Sequence, residues 1–227
     1  MKSIIIVGGG ASIREGVDKG LWDKIKGKEI IALNSSYKVM PYEPSIEMWV
    51  DKDFFLHDID ELQKLQMKGV KLVAKEHVKL KPFLDLIEIW PTSREAHNYF
   101  GKDSINKRMM YYGRQGLSGA FALCYCIGCG YDTIYALGYD FGSPNIEQKF
   151  THWYQDSLLE KNIYSAGAGH PELYVAPNNP NVPISFMEDF KLFANEDTKI
   201  YNVSLISNLP YFPKISYDEF FERISNE

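Results

Sequence analysis

Seven short runs of apolar, largely β-branched residues recur along the chain, and this recurrence restricts the fold more than any other feature. They are Ser3 to Val7, Glu29 to Leu33, Ile46 to Val50, Val70 to Ala74, Leu86 to Trp90, Thr133 to Leu137 and Lys199 to Val203. Runs of this length and composition read as buried strands. Helical spacing fills several of the gaps. From Phe54 to Met67, the apolar Phe55, Ile59, Leu62 and Leu65 recur on one face and Gln and Lys side chains occupy the other, as suits a helix lying on a sheet. Strand then helix, repeated, implies parallel pairing through crossovers. A three-layer α/β/α, Rossmann-like fold with a mainly parallel central sheet follows. The 227 residues, 45% of them apolar, suffice for one core, so a single domain over residues 1–227 is expected.

Two stretches depart from the alternation. Leu117 to Gly130, LSGAFALCYCIGCG, is apolar nearly all round and dense in small residues, so it reads as a helix pressed between the sheet and another layer and ended by Gly130. Its cysteines, Cys124, Cys126 and Cys129, are odd in number and have no paired CxxC or nearby histidine. They read as helix packing rather than as a disulfide or zinc site. The second stretch, residues 143–183, is rich in Gly, Pro, Asn and aromatic residues, with helical spacing only around Trp153 to Lys161. It reads as a lid or insertion. Phe150, Trp153, Tyr154 and Tyr164 suit either an acceptor pocket or a subunit interface, which leaves a homo-oligomer open. Helical spacing returns at Ile184 to Phe193, and Tyr217 to Ile224 reads as an acidic terminal helix.

Charge narrows the partners. With 25 basic and 30 acidic residues the formal charge is −5, and the long-range field repels polyanions, so a general nucleic-acid or anionic-membrane binder is disfavoured. Any phosphate must be met locally. No stretch approaches the roughly 18–20 apolar residues of a bilayer span. The run Ile4 to Val7 is too short for a signal peptide, and the cytoplasm is the expected compartment.

In an open α/β sheet, ligands sit beyond the carboxyl ends of the strands, so the residues leaving those ends are the candidates. Gly8, Gly9 and Gly10 follow the first strand and precede a helix. They permit a sharp turn with amides close to an anion, and Ser12 either caps the helix or donates its hydroxyl to phosphate. The turn is not a nicotinamide fingerprint, because Ile13 fills the third glycine slot and the second strand ends in Asn34 rather than an acidic residue. Nor is it a P-loop, since no Gly-Lys-Ser/Thr follows. Asn34 offers a paired donor and acceptor to a ribose hydroxyl or base edge, or else simply forms a turn. Asp51 and Asp53, in VDKDFF, and Asp140, after the sixth run, are either magnesium ligands bridging phosphate oxygens or helix caps, the latter favoured for Asp53. Arg114 with the Ser118-Gly119 helix start makes a second anion cradle, and Gly138 sits at the strand end beside Asp140. His57, His77 and His97 fall on polar faces and read as solvated. His152 and His170 fall in the lid, where a histidine can act as a general base near neutral pH, and His170 is the stronger candidate.

The block SGAFALCYCIGCGYDTIYALGYDF, from Ser118 to Phe141, resembles the Ser-Gly, small-residue helix and Gly-x-Asp-Phe block of bacterial lipo-oligosaccharide sialyltransferases. It is also similar to the group containing 6-hydroxymethylpterin diphosphokinase-like proteins, in which a G-x-G-x-S opening recurs. The matching pieces, GGGAS, Asn34, Arg114 and the block to Phe141, cover about a third of the chain. The resemblance to sialyltransferases implies a CMP-sugar donor, nucleotide contacts from Gly8, Gly9, Gly10, Ser12, Asn34, Arg114, Ser118, Gly119 and Gly138, and a catalytic pair of His170 as base with Asp140. Gly9 and Gly142 stand where that family has a donor-binding asparagine and a phosphate-binding tyrosine, with Tyr139 or Tyr154 as the available substitutes. No cofactor is implied in this reading. The diphosphokinase likeness implies instead an Mg2+-dependent transfer from ATP to a pterin-like substrate, with Asp51 and Asp53 as metal ligands. A nucleotide-binding protein without catalysis is a third expectation. In each case the partner is a nucleotide or nucleotide-sugar, together with a small-molecule or glycan acceptor where transfer occurs.

Overall fold

The computed structural model describes residues 2–75, 88–90, 117–141 and 190–227. Each of the seven runs forms a strand: β1 (Ser3–Val7), β2 (Ile30–Leu33), β3 (Ile46–Trp49), β4 (Lys71–Lys75), β5 (Glu88–Trp90), β6 (Thr133–Leu137) and β7 (Lys199–Val203). Helices α1 (Ile13–Asp18), α2 (Leu21–Ile25), α3 (Lys52–Met67), α4 (Ser118–Gly128) and α5 (Tyr217–Ser225) accompany them. The strands form one sheet in the order β5-β4-β3-β2-β1-β6-β7, with every pairing parallel. The chain builds outward from β1 to β5, then returns to the other side of β1 with β6. The seam between β1 and β6 is therefore where the winding direction reverses.

Alternation along each strand splits the core in two. Ile4, Ile6, Ile31, Leu33 and Met48 point to the face covered by α4, where Ala120 to Ile127 are all buried, and by Phe190 and Phe193. Ile5, Val7, Ala32 and Trp49 point to the other, covered by Ile13 of α1, Leu21 and Ile25 of α2, Phe55, Leu62 and Leu65 of α3, and Phe220 and Phe221 of α5. This is the three-layer α/β/α arrangement. Burying an aliphatic or aromatic side chain of this size contributes roughly 1.5–3 kcal/mol.

Local chemistry sets the element ends. Gly130 has φ +73°, its N–H donates to the Ile127 carbonyl at 3.0 Å, and the Tyr131 N–H reaches back to the Cys126 carbonyl at 3.1 Å; this left-handed cap closes α4 as the sequence predicts. Cys124 and Cys126 are buried in that packing, whereas Cys129, beyond the last turn, is exposed. At α5 the Ser216 hydroxyl accepts from the Glu219 N–H at 3.1 Å, an N-terminal cap. Among the described residues no helix is long and apolar enough to cross a membrane. The lid, residues 143–183, lies outside the described residues, as do Arg114, His77, His97, His152, His170 and the helical spacing expected from Trp153 to Lys161 and, for the most part, Ile184 to Phe193.

Candidate functional site at the carboxyl rim of the sheet

The glycine turn after β1 is knitted to the exit of β6. The Gly8 N–H donates to the Leu137 carbonyl at 2.9 Å, and the Gly10 N–H to the Gly138 carbonyl at 3.0 Å. Gly138 has φ +72°, and a Cβ there would lie 2.9 Å from the Gly10 nitrogen, so the two backbones touch where side chains cannot fit. The first anion cradle is therefore filled from within. Asp140, buried, accepts from the Ser12 N–H at 2.8 Å through Oδ2 and from the Ser12 hydroxyl at 2.6 Å through Oδ1. A carboxylate thus sits at the N-terminus of α1, where the helix dipole and the first N–H groups favour negative charge. Two expectations change. Ser12 does not cap α1 with its own side chain, and its donors serve Asp140 rather than a phosphate. Asp140 thereby ties the β6 exit to the start of α1.

A second set of groups converges beside this seam. Asn34 follows β2 with φ +53°, a left-handed conformation that asparagine tolerates better than most residues. Its Oδ1 accepts from the Ser118 hydroxyl at 3.2 Å, which joins the β2 exit to the start of α4. Ser36 holds the β2 exit to the β1 exit: its hydroxyl donates to the Val7 carbonyl at 3.1 Å and accepts from the Leu33 N–H at 2.9 Å. Gly119 lies against the Tyr139 ring, whose hydroxyl donates to the Gly119 carbonyl at 3.0 Å. Tyr139 is buried and its only O–H is already donated to Gly119, while burial pushes the phenol well above its ordinary range and keeps it protonated. Among the described residues no side chain caps the start of α4, and Asn34, Ser118 and Gly119 are only half-buried around it. The structure thus brings Asn34, Ser118 and Gly119 together next to the glycine turn and Gly138.

Residues that the sequence reading passed over hold the β6 exit in place. The Tyr139 carbonyl accepts from the Asn202 side-chain amide at 3.1 Å and from the Ser207 hydroxyl at 2.6 Å, and the Asp140 carbonyl accepts from the Asn208 N–H at 2.8 Å. Phe141, just beyond, has φ +49°, a strained conformation for a bulky residue and one that clusters at ligand sites. In sequence only Asn202 within β7 and the Ser and Asn of the segment after it, SLISN, hint at this, and nothing local says which carbonyls they serve.

Asp51 and Asp140 do not meet, and the Asp53 side chain lies outside what the structure describes. Asp51 is exposed, and its carbonyl accepts the Phe55 N–H at 3.3 Å. The helix starts at Lys52, so the cap position falls on Asp51 rather than Asp53. Between the β3 and β6 exits lie three strand spacings, about 14 Å, whereas magnesium ligands sit at roughly 2.1 Å from the ion. Asp51 and Asp140 therefore cannot share one. Among the described residues no three His, Cys, Asp or Glu side chains are grouped to hold a metal.

No protein-family model matches the chain, and no curated protein matches it. Among solved structures it is similar to the MAf glycosyltransferase from Magnetospirillum magneticum AMB-1, with 13% identity and a TM-score of 0.47 over 96% of this chain and 34% of that one. The chain spans about a third of that protein's length, and a likeness this faint carries no argument about chemistry.

Proposed function

We propose that the chain is a transferase that holds a nucleotide-activated donor across the carboxyl rim between β2, β1 and β6, most specifically a glycosyltransferase using a CMP-sugar. The observation that supports it is the Asn34–Ser118 contact beside a helix start that no described side chain caps, because it sets an amide able to read a sugar or base edge next to amides able to meet phosphate. Since Asp140 already fills the start of α1, the donor phosphate goes to the start of α4, with Ser118 and Gly119. In this reading the leaving nucleotide phosphate gains charge as the sugar departs, and the α4 amides and dipole stabilise it more than they stabilise the bound donor. His170 takes the acceptor proton. Arg114 adds charge to the phosphate.

Thermal-shift measurements with CMP, CTP, ATP and GDP test this. A nucleotide at a hundred times its dissociation constant stabilises by about 2.7 kcal/mol, which for a chain of this size raises Tm by roughly 5–10 °C. The expected result is a shift with a cytidine nucleotide that persists in EDTA. A shift only with ATP and magnesium supports the diphosphoryl-transfer reading instead, and no shift with any nucleotide removes both. If transfer is demonstrated, His170→Ala should abolish it while leaving the nucleotide shift in place.

A further inference from the structure

The face of β3 that packs under α3 carries a carboxyl group where an apolar side chain is expected. Glu47 pairs in register with Ala32 of β2 and Leu72 of β4, is fully buried, and among the described residues no side chain bonds either of its carboxylate oxygens. Nearby lies a shielded ion pair between the 3-10 turn Asn34–Val39 and α3: Lys38 Nζ donates to Asp58 Oδ1 at 2.7 Å, with the two side chains 12% and 4% exposed. The Tyr37 hydroxyl, which faces Asp58, and Trp49 Nε1 are buried on the same face. The charges acting on Glu47 are Asp58 from α3 and Lys38 from the turn; its sheet neighbours Ala32 and Leu72 carry none. Tyr37 feels Asp58, Glu47 and Glu61, and His57 Nδ1 lies 2.9 Å from the same Asp58 oxygen that holds Lys38. Burial, and after it the charge of Asp58, hold the Glu47 carboxyl well above the ordinary carboxylate range.

We propose that Glu47, Lys38 and Asp58 form a proton-operated latch on the turn that begins at Asn34. While Glu47 keeps its proton, Lys38 has a single anionic partner, Asp58, and the turn is pinned to α3. When the Glu47 O–H gives its proton to solvent, two carboxylates face one ammonium and leave a net negative charge largely shielded from water, which is costly. The turn and α3 part to admit water, and Asn34 moves with the turn. Any effect on donor binding rests on the function proposed above; the latch itself needs no nucleotide.

Amide hydrogen exchange on the full chain, without nucleotide, reads the latch directly. After correction for intrinsic rates, protection of residues 34–39 and of the first turns of α3 should fall by about tenfold or more between acid and mildly alkaline pH. Glu47→Gln should hold protection constant across that range. Asp58→Asn should remove the fall as well, because Glu47, once ionised, is then the only one of the two carboxyl groups left to face Lys38, and it serves as an independent arm should Glu47→Gln fold poorly. His57→Gln should behave as the parent chain does. The latch is overturned if the parent chain shows no fall, if the fall persists in either carboxyl variant, or if His57→Gln removes it. None of these outcomes depends on whether a nucleotide binds the rim.

Discussion

A Cβ on Gly10 would lie 2.5 Å from Asp140 Oδ2 and 2.6 Å from the Gly138 carbonyl, so the residue is glycine because two backbones and a carboxylate already fill the space. Gly10→Ala should destabilise the chain by about 1–3 kcal/mol, as overpacking commonly does, read as a lower urea midpoint with unchanged slope. Asn34→Gly is the complementary test. Glycine accepts the φ of +53° without strain, so stability should change by less than about 1 kcal/mol, while nucleotide affinity drops about tenfold on loss of a hydrogen bond of roughly 1.4 kcal/mol. Equal affinity in the two chains would show that Asn34 is only a turn residue. At this scale the close approach of the glycines was legible in sequence, but its cause was not. Three glycines imply that something comes near, and the pattern does not distinguish a ligand phosphate from the carboxylate of Asp140, far along the chain.

At the scale of elements, periodicity and length located all seven strands and the face of α3, because a parallel sheet buried on both sides leaves continuous apolar runs. What it missed are single residues whose partners are tertiary. Glu47 sits inside the run Ile46 to Val50 and passes as part of a strand, although among the described residues no side chain bonds its buried carboxyl group. Its proton affinity is raised on folding, so its contribution to stability is complete at low pH and is lost as pH rises above the ordinary carboxylate range toward the raised folded value. Glu47→Gln should therefore flatten the decline of stability with rising pH, checked by urea midpoints over a pH series. A second contact between elements is as local: a Cβ on Gly16 of α1 would lie 2.3 Å from the Tyr217 ring of α5. Gly16→Ala should lower stability by about 1–3 kcal/mol and Tyr217→Leu in the same chain should restore part of it, the coupling being read in a double-mutant cycle.

Across the whole molecule, the strand order fixes which sequence candidates can act together. The reversal between β1 and β6 places Gly8 to Gly10 beside Gly138 and Asp140, and the β2 exit brings Asn34 to the start of α4, while the β3 exit with Asp51 stays apart. The sequence order of motifs carries no such information, since Asn34 and Ser118 meet across 84 residues. The most direct test of a nucleotide at this rim is an amide-resolved NMR titration of the full chain with CMP. Saturable shifts are expected at Gly9, Asn34, Ser118 and Gly119, with Glu29 and Asp132 at the opposite edge of the sheet unmoved. Saturable shifts confined to that opposite edge, or none at the α4 start under conditions where CMP binds, would contradict a nucleotide at this rim.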